Sequence, residues 1–478
     1  MNLIWFRRDL RVIDNTALRF ALEANRPVVA VFIATPEQWG QHHMSPIQAD
    51  LIYRRLFALR DDLKKLNIPL LYCEVSNYSA SVDAITHLAN SFDADHIFAN
   101  KEYEVNEEHR DRLLKSSLLD SQCTLSLFDD KCVFAPGDVL NKQGTYFKVF
   151  TPFKKSWLNR FTPPHVTSPH AQEYNLSDMQ SELANESNFS ELSDSIRFSY
   201  SRKNSQAWKV ESSDIIRQLR TFCTQHVDQY DVERDFPSLD TTSRLSPYLA
   251  IGALSVRQCI ARLYMQSQAG VLSTGKQIWL SELIWREFYQ HLLSFEPKLS
   301  RGHAFVTWSE DIGWHDNLQA LQAWQQGKTG FPLVDAAMRQ LNQTGWMHNR
   351  LRMVVASFLT KDLHLNWREG EAYFMSQLID GDFAANNGGW QWSASTGCDG
   401  QPYFRIFNPV SQSERFDAQG EFIRYWLPEL ESVPDKWIHQ PWMWEGSQML
   451  DYPQPIIDHK VERGVTLAAY KAAKDSSQ

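Results

Sequence analysis

The sequence predicts a two-part protein, in which a Rossmann-like α/β layer with a parallel sheet precedes a larger all-α region. Residues 1–130 alternate short apolar runs with helical patterns, an order that is typical of a parallel sheet covered by helices. From Trp208 onward the apolar spacing is helical and β-like runs are nearly absent. Residues 161–206 hold ten Ser and little apolar periodicity, which predicts a long surface linker. We therefore expect an α/β domain at 1–130, an interdomain linker at 131–206 and a helical domain at 207–478.

Five strands are predicted in the first part. Pro27–Ala34 is apolar throughout, which is typical of a strand buried on both faces. The other four β-rich runs are Asn2–Arg7, Pro69–Val75, His96–Asn100 and Leu125–Phe128. Helical patterns lie between the strands at Asn15–Ala24, Ile47–Leu66, Ala80–Ser91 and Asn106–Leu119. Asp14 or Asn15 is the expected N-cap of the first helix. No Gly-x-Gly-x-x-Gly sequence follows the first strand, so the dinucleotide fingerprint is absent.

The second part contains five clear helical patterns. They are Ser255–Gln266, Lys276–Phe295, Leu333–Leu341, Asn349–Leu363 and Arg368–Ile379. Polar residues dominate the segment 380–392 that follows, and its Gly388–Gly389 pair would permit close approach of the backbone to a ligand. Its two acidic residues lack the further ligands that a Ca²⁺ loop needs, so we expect no metal site.

The composition excludes several classes of protein. With 43% hydrophobic and 22% charged residues, the 478-residue chain is neither disordered nor fibrous. A net charge of -9 argues against a general nucleic-acid coat protein but leaves room for a local basic patch. Six Cys without a C-x-x-C pair favour reduced thiols over a disulfide scaffold or a zinc site. No stretch approaches the ~18 apolar residues of a membrane span, and the N-terminus does not resemble a signal peptide, so we expect a cytoplasmic protein.

Tryptophan is unusually frequent, and its distribution is uneven. Of the 17 Trp, fourteen follow residue 200. So many indoles indicate ring stacking on a flat ligand, an electron path or an aromatic-rich helical core.

Two motifs point to a ligand, each with a plainer alternative. Thr242–Pro247 combines hydroxyls, Arg244 and a Pro at a predicted helix start, which would suit a pyrophosphate; the alternative is an ordinary N-cap. On the next long helix, residues Trp279, Glu282, Trp285 and Arg286 share one face. That face would form the floor of a pocket for a flat apolar group. The alternative is an i,i+4 ion pair of Glu282 with Arg286 on a half-exposed helix.

The chain resembles the photolyase/cryptochrome family, and most closely the bacterial class I cyclobutane pyrimidine dimer photolyases. The likeness extends from Trp5–Arg11 to Leu467–Tyr470, and the linker matches least. Its most specific segments are Trp346–Met353 and Asp380–Pro409. The resemblance implies a helical C-terminal domain that holds FAD in a folded conformation.

The resemblance also implies which residues contact FAD. The phosphate-side contacts would be Tyr230, Thr242, Ser243, Arg244, Leu245 and Ser246. The remaining contacts would be Trp279, Glu282, Arg286, Trp346, Asn349, Arg352, Asp380, Asp382 and Asn386. Arg352 and Asp380 would pair beside the isoalloxazine, and Asn386 would face its redox nitrogen.

The implied activity is light-driven repair of UV-damaged DNA, in which reduced FAD gives an electron to a flipped-out dimer and recovers it after the ring splits. Glu282 would hydrogen-bond the dimer and stabilise its radical anion. Trp285 and Trp392 would be the stacking walls of the pocket, which Asn349 and Met353 would line. The residues near the DNA phosphates would be Arg234, Arg350 and Arg405. A chain of Trp390, Trp367 and Trp314 would carry electrons to the flavin.

An antenna chromophore is implied at the edge of the α/β domain. His42, Asn106 and Glu107 match positions that hold methenyltetrahydrofolate in the family. Ser300 and Arg301 stand where folate-binding members have Cys and Lys; Arg301 keeps the charge but is not an equivalent donor. We expect folate rather than a deazaflavin.

The main alternative is a cryptochrome-type photoreceptor that signals through a protein partner. Asn386 argues against it, because animal cryptochromes often have Cys there and plant ones Asp, and only a few residues follow Tyr470. A (6-4) photolyase would have His in place of Asn349 and of Met353, and DASH-type proteins tend to have Tyr in place of Trp392. No nicotinamide site supports a generic flavin oxidoreductase. We expect a monomer without an obligate protein partner, acting on DNA that contains pyrimidine dimers.

Overall fold

The computed structural model describes residues 1–174, 188–265, 267 and 270–476. Contacts divide the chain into two compact units. The first unit comprises residues 1–147, 151–228 and 243–297, and the second comprises 148–150, 229–242 and 298–478. The division of the chain into domains at 1–130, 131–206 and 207–478 stays a prediction.

The first unit contains a six-stranded sheet of order β5-β4-β1-β2-β3-β6. Its strands are β1 Asn2–Phe6, β2 Val28–Ala34, β3 Leu70–Glu74, β4 His96–Asn100, β5 Thr124–Phe128 and β6 Ser190–Glu191. The five predicted strands are confirmed and pair in parallel, whereas β6 was not predicted and pairs antiparallel to β3. Every residue of β2 is buried, as expected for a strand covered on both faces.

Helices follow the strands of the sheet in the expected order. They are α1 Thr16–Glu23, α2 Pro36–Gln41, α3 Pro46–Lys64, α4 Tyr78–Ser91 and α5 Val105–Ser117. Asn15 is the N-cap of α1, because its side chain accepts a hydrogen bond from the Leu18 N–H at 3.0 Å. Strands β2 and β3 extend the sheet on one side of β1, whereas β4 and β5 extend it on the other. The topological switch point of the sheet therefore lies between β1 and β4.

The predicted linker carries more structure than its sequence indicates. Helix α6 covers Phe150–Arg160, and β6 lies within the Ser-rich stretch. Phe198 is buried and stacks on Tyr72 with ring centroids 5.9 Å apart. Such single anchors have no periodic spacing, so a search for periodicity cannot find them. Residues 175–187 of the predicted linker lie outside the described residues.

The rest of the described chain is helical. Its α-helices are α7 Ser212–Gln225, α8 Tyr230–Glu233, α9 Ser246–Ala250, α10 Val256–Met265, α11 Thr274–Phe295, α12 Leu318–Gln326, α13 Pro332–Thr344, α14 Asn349–Ser357, α15 Trp367–Gln377, α16 Phe383–Ala394, α17 Pro409–Phe416, α18 Glu421–Trp426 and α19 His459–Ser476. Short 3₁₀ turns occur at Val227–Gln229, Leu299–Arg301, Thr307–Asp311, Pro428–Leu430, Asp435–Trp437, Pro441–Met443 and Ser447–Met449.

The helical part departs from the sequence pattern at one predicted helix, and it contains one further helix for which no pattern was predicted. The pattern predicted as one helix over Asn349–Leu363 is α14 followed by a π-helical turn at Phe358–Asp362. Most of the polar segment 380–392 is helix α16, which begins after Asp382. The Asp382 carboxylate accepts from the Ala385 N–H at 3.1 Å, and this cap stabilises a helix that propensity alone disfavours at Asn and Gly.

The described residues also bear on the cysteines, on possible metal-binding groups and on possible membrane-spanning helices. All six cysteines are buried and free. No group of three or more His, Cys, Asp or Glu that could hold a metal ion is found in the described part of the chain. None of the helices in the described ranges is long and apolar enough to cross a membrane.

A buried carboxylate joins distant segments of the first unit. Asp130, just beyond β5, is 3% exposed and accepts from Arg11, from Arg257 Nη2 at 2.7 Å and from the Thr16 hydroxyl at 2.7 Å. Arg257 also contacts the Asp14 carboxylate at 2.8 Å. Although burial opposes ionisation, the two guanidiniums hold the pKa of Asp130 below its usual value.

We expect Asp130→Asn to lower the free energy of unfolding by about 3–5 kcal/mol, because it leaves two buried guanidiniums without their shared carboxylate. Urea denaturation followed by circular dichroism measures this loss. Asp120→Asn removes the same charge from an exposed position and is the control. Equal stability of the two variants would contradict this account of Asp130.

Candidate functional site

In the first unit, residues 243–247 of the predicted phosphate motif form a fixed turn before α9. Arg244 has a φ of +48°, and the carbonyl oxygens of Ser243 and Arg244 accept from Gln218 Nε2 at 2.9 and 3.1 Å. Pro247 lies in the first turn of α9, as the sequence predicts. The motif therefore precedes a helix and is held in place by α7.

Helix α11 presents the face that the sequence predicts. Trp279 is buried and packs on Phe222 with ring centroids 4.9 Å apart, whereas Glu282 and Trp285 are half-buried. Arg286 donates to the Lys131 carbonyl at 2.8 Å. The guanidinium is thus anchored to the backbone of its own unit.

A neighbouring face of α11 carries a carboxylate that sequence reasoning missed. Glu287 is 1% exposed and accepts from the N–H groups of Val133 and Phe134 at 2.7 and 3.1 Å and from Trp157 Nε1 at 2.7 Å. Burial raises the pKa of Glu287 to about 7. A Glu in the middle of an apolar helix face is the signal that could have identified it. By fixing α11, Glu287 positions the whole face described above.

The three predicted antenna residues of the first unit lie together. His42 Nε2 is 2.9 Å from Asn106 Nδ2, and His42 Nδ1 is 3.6 Å from Glu107 Oε1. Tyr78 donates its hydroxyl to Glu107 Oε1 at 2.8 Å, whereas Glu107 Oε2 is buried without a hydrogen-bond partner. Burial, reinforced by the carboxylate of Glu104, raises the pKa of Glu107 to about 7. Arg301, the fourth predicted residue, belongs to the second unit.

In the second unit, the expected ion pair of Arg352 and Asp380 is present at 2.8 Å. Arg352 also donates to the Met347 carbonyl at 2.9 Å. Asn386 Nδ2 donates to the Glu371 carbonyl at 3.0 Å, which fixes the orientation of its amide. A cation, an acceptor carboxylate and an oriented amide therefore lie on the elements α14 to α16.

Glu371 is a second buried carboxylate that sequence reasoning missed. It accepts from Asn387 Nδ2 at 2.8 Å while its backbone carbonyl orients Asn386. Burial raises the pKa of Glu371 to about 7. The consecutive amides Asn386–Asn387 are the sequence signal. Two neighbouring amides on one helix can donate to the backbone carbonyl and to the side-chain carboxylate of the same residue.

The predicted DNA-contacting residues of this unit occupy different environments. Asn349 and Arg405 are exposed, whereas Met353 and Trp392 are half-buried. Lys361, fully buried, donates to the Ser395 hydroxyl at 2.9 Å and to the Arg405 carbonyl at 3.2 Å, which fixes the backbone at Arg405.

The three predicted chain tryptophans belong to one hydrophobic cluster. Trp390 and Trp367 are buried in it and Trp314 packs against it half-buried. Gly370, one turn after Trp367 on α15, lies against the Trp390 ring so closely that a Cβ there would overlap the indole. Both the core and the electron-path interpretations of the Trp excess are compatible with this packing.

The chain is similar to photolyases over its whole length. A family model of the FAD binding domain of DNA photolyase matches residues 279–472, and a DNA photolyase model matches residues 2–172. The deoxyribodipyrimidine photo-lyase of Vibrio cholerae is 56% identical over 99% of this chain and 100% of that protein. That of Escherichia coli is 49% identical over 99% of each.

Solved structures show the same likeness. The bacterial class III photolyase from Agrobacterium tumefaciens has a TM-score of 0.80 at 32% identity, covering 99% of this chain and 98% of that one. The Synechocystis sp. PCC6803 cryptochrome has a TM-score of 0.84 at 27% identity, covering 98% and 99%. The fold is therefore common to both kinds of protein.

We expect Gly370→Ala to displace the Trp390 indole and to lower the free energy of unfolding by about 1–3 kcal/mol, because the core has no space for the methyl group. Denaturation monitored by tryptophan fluorescence measures both effects. The control is Gly464→Ala on α19, where a Cβ meets no atom within 4 Å. Unchanged stability and fluorescence of the Gly370 variant would contradict the packing.

Proposed function

We propose, because this chain belongs to the DNA photolyase family, that it is a light-dependent DNA repair enzyme that splits cyclobutane pyrimidine dimers. The observation that carries the proposal is the 56% and 49% identity to deoxyribodipyrimidine photo-lyases along the full chain. Fold alone would not separate a photolyase from a cryptochrome. Reduced FAD, when bound and excited by blue light, supplies the electron that opens the cyclobutane ring.

FAD is the cofactor of this proposal, and the second unit offers a donor set that fits the polar edge of a flavin. Arg352 can donate to a ring carbonyl, Asp380 can accept from a ring N–H, and Asn386 has its amide oriented by Glu371. The proposed residues of this unit are Tyr230, Thr242, Trp346, Asn349, Arg352, Asp380, Asp382 and Asn386. The proposed residues of the first unit are Ser243, Arg244, Leu245, Ser246, Trp279, Glu282 and Arg286.

The proposed lesion contacts of the first unit lie on the face of α11 described above, and those of the second unit lie on α14 and α16. Trp285 and Trp392 would stack on the flipped dimer, while Asn349 and Met353 would contact its edges. Glu282 would hydrogen-bond the dimer and stabilise the charge that develops on it. Arg234, Arg350 and Arg405 would bind phosphates. Trp314 packs against the hydrophobic cluster that contains Trp390 and Trp367. This packing supports Trp314 as the outer end of an electron path.

Methenyltetrahydrofolate is the antenna that we propose for the first unit. The unpartnered Glu107 Oε2 and the Oε1 held by Tyr78 form a pair of acceptors that fits adjacent N–H groups of a pterin. His42 and Asn106 would hold the neighbouring edge, and Arg301 would provide a cation. We also propose that the enzyme is cytoplasmic and monomeric and that it has no obligate protein partner.

The test is repair in a cuvette. Purified, photoreduced protein is mixed with UV-irradiated oligothymidine, and thymine absorbance is followed under blue light and in the dark. Recovery only in the light is expected. Lack of recovery with FAD bound and fully reduced would contradict the proposal and favour a cryptochrome-type receptor.

Glu282→Ala is expected to lower the repair rate roughly tenfold to a hundredfold, because developing charge on the dimer loses its hydrogen-bonding partner. The visible absorbance of bound FAD should stay unchanged. Ser281→Ala, which alters the preceding residue, is the control. Complete loss of FAD from the Glu282 variant would contradict the proposed role of this side chain at the dimer.

Folate binding is expected to weaken below pH 7, by about tenfold per pH unit, because the pKa of Glu107 is raised to about 7 and only its carboxylate offers two acceptors. His42, whose pKa burial lowers to about 4, stays neutral in this range, and Glu102, with a pKa of about 2, stays ionised. Fluorescence titration with the folate measures the affinity. Glu107→Gln should abolish the pH dependence and Glu108→Gln should retain it; any other pattern contradicts the assignment.

A further inference from the structure

Two of the arginines assigned to DNA phosphates in the second unit approach one carboxylate oxygen. Arg350 Nη2 lies 2.8 Å from Asp235 Oδ1, and Arg234 Nε lies 3.9 Å from the same atom. Asp235 follows the short helix α8, and Arg350 is the second residue of α14. The side chains are 31% and 18% exposed, so the pair is open to solvent on one side. The Asp235 carboxylate therefore occupies the position at which the guanidiniums of Arg234 and Arg350 converge.

The Arg350 guanidinium has further capacity for an anion. Its Nε is buried without a hydrogen-bond partner, and its central carbon lies over the Phe416 ring, 4.5 Å from the ring centroid. This cation–π contact helps to hold the guanidinium in place. Phe236 packs against the same ring, with centroids 6.3 Å apart.

A third cation borders this cluster. Arg415, which is exposed in the last turn of α17, lies over the Phe416 ring at 5.1 Å. Arg234 and Arg350 thus approach the Asp235 carboxylate, and Arg350 and Arg415 lie over the Phe416 ring. Nothing in the sequence analysis assigned a role to Asp235 or Arg415.

We propose that Asp235 is an internal stand-in for a DNA phosphate: its carboxylate occupies the arginine site in the free protein, and a backbone phosphate replaces it, with Arg415 as an additional contact. This inference rests on the proposed function, because it takes Arg234 and Arg350 as phosphate ligands. A carboxylate and a phosphodiester both carry one negative charge and offer two acceptor oxygens, so they compete for the same guanidinium donors.

The consequence is a lower affinity for every DNA backbone. Since phosphate contacts do not read sequence, the competition weakens binding to undamaged and damaged DNA alike. Lesion binding retains the contacts of the flipped dimer, whereas binding to undamaged DNA has no other source of affinity.

The test is DNA binding by the FAD-containing protein with Asp235→Asn. Fluorescence anisotropy with an undamaged duplex and with a dimer-containing duplex is expected to show about threefold to fivefold tighter binding of both at low salt. The slope of log affinity against log salt should become steeper by about one, because one more phosphate is fully neutralised. Arg415→Gln should make the slope shallower by a similar amount.

Asp231→Asn is the matched control, because it removes the same charge from α8 and Asp231 belongs to none of the ion pairs found among the described residues. If both variants bind DNA more tightly by the same factor, the change in net charge explains the effect and the inference is overturned. Weaker or unchanged DNA binding by the Asp235→Asn variant would also overturn the inference, because it would show that the carboxylate holds the arginines in position for DNA. Asp235→Ala is measured in parallel in case the Asn variant loses FAD. Failure of wild-type repair would instead contradict the proposed function.

Discussion

A carboxylate can be buried in a protein only where N–H groups or cations surround it, and this constraint organises both units of the chain. In the first unit, Asp130 binds Arg11 and Arg257, which lie far apart in sequence. Glu287 satisfies three N–H donors and thereby fixes α11. Because the face of α11 with Trp279, Glu282 and Trp285 follows from that placement, the predicted site residues depend on a buried carboxylate that is not itself one of them.

The second unit shows the same constraint among its proposed site residues. Glu371 receives the amide of Asn387 on its carboxylate and that of Asn386 on its carbonyl, so one residue sets the orientation of α16 and of the amide assigned to the flavin. Around it the tryptophans form a core with little free volume, in which Gly370 is required by the Trp390 ring. Rigid indoles in a dense core suit an electron path, because fixed distances between aromatic rings need no rearrangement.

Two other carboxylates, Glu107 and Asp235, are less completely satisfied by the protein. Glu107 retains one buried oxygen without a partner, and Asp235 shares its oxygen with arginines that have other assigned ligands. In both places a carboxylate is positioned by its neighbours but not fully satisfied by them. A ligand can therefore complete the site at Glu107 or replace the carboxylate at Asp235.

The sequence by itself determined the elements and the residue types. Apolar runs located the five parallel strands, helical spacing located α3, α4, α11 and α13, and the resemblance identified the family and its candidate site residues. It did not reveal α16, because Asn, Gly and Asp are poor helix formers whose stability there comes from the Asp382 cap and from tertiary contacts. It also missed the anchors Phe198, Glu287, Glu371 and Asp235. Their roles consist of contacts with residues remote in sequence, and only the tertiary structure decides which distant donors surround a given carboxylate or ring.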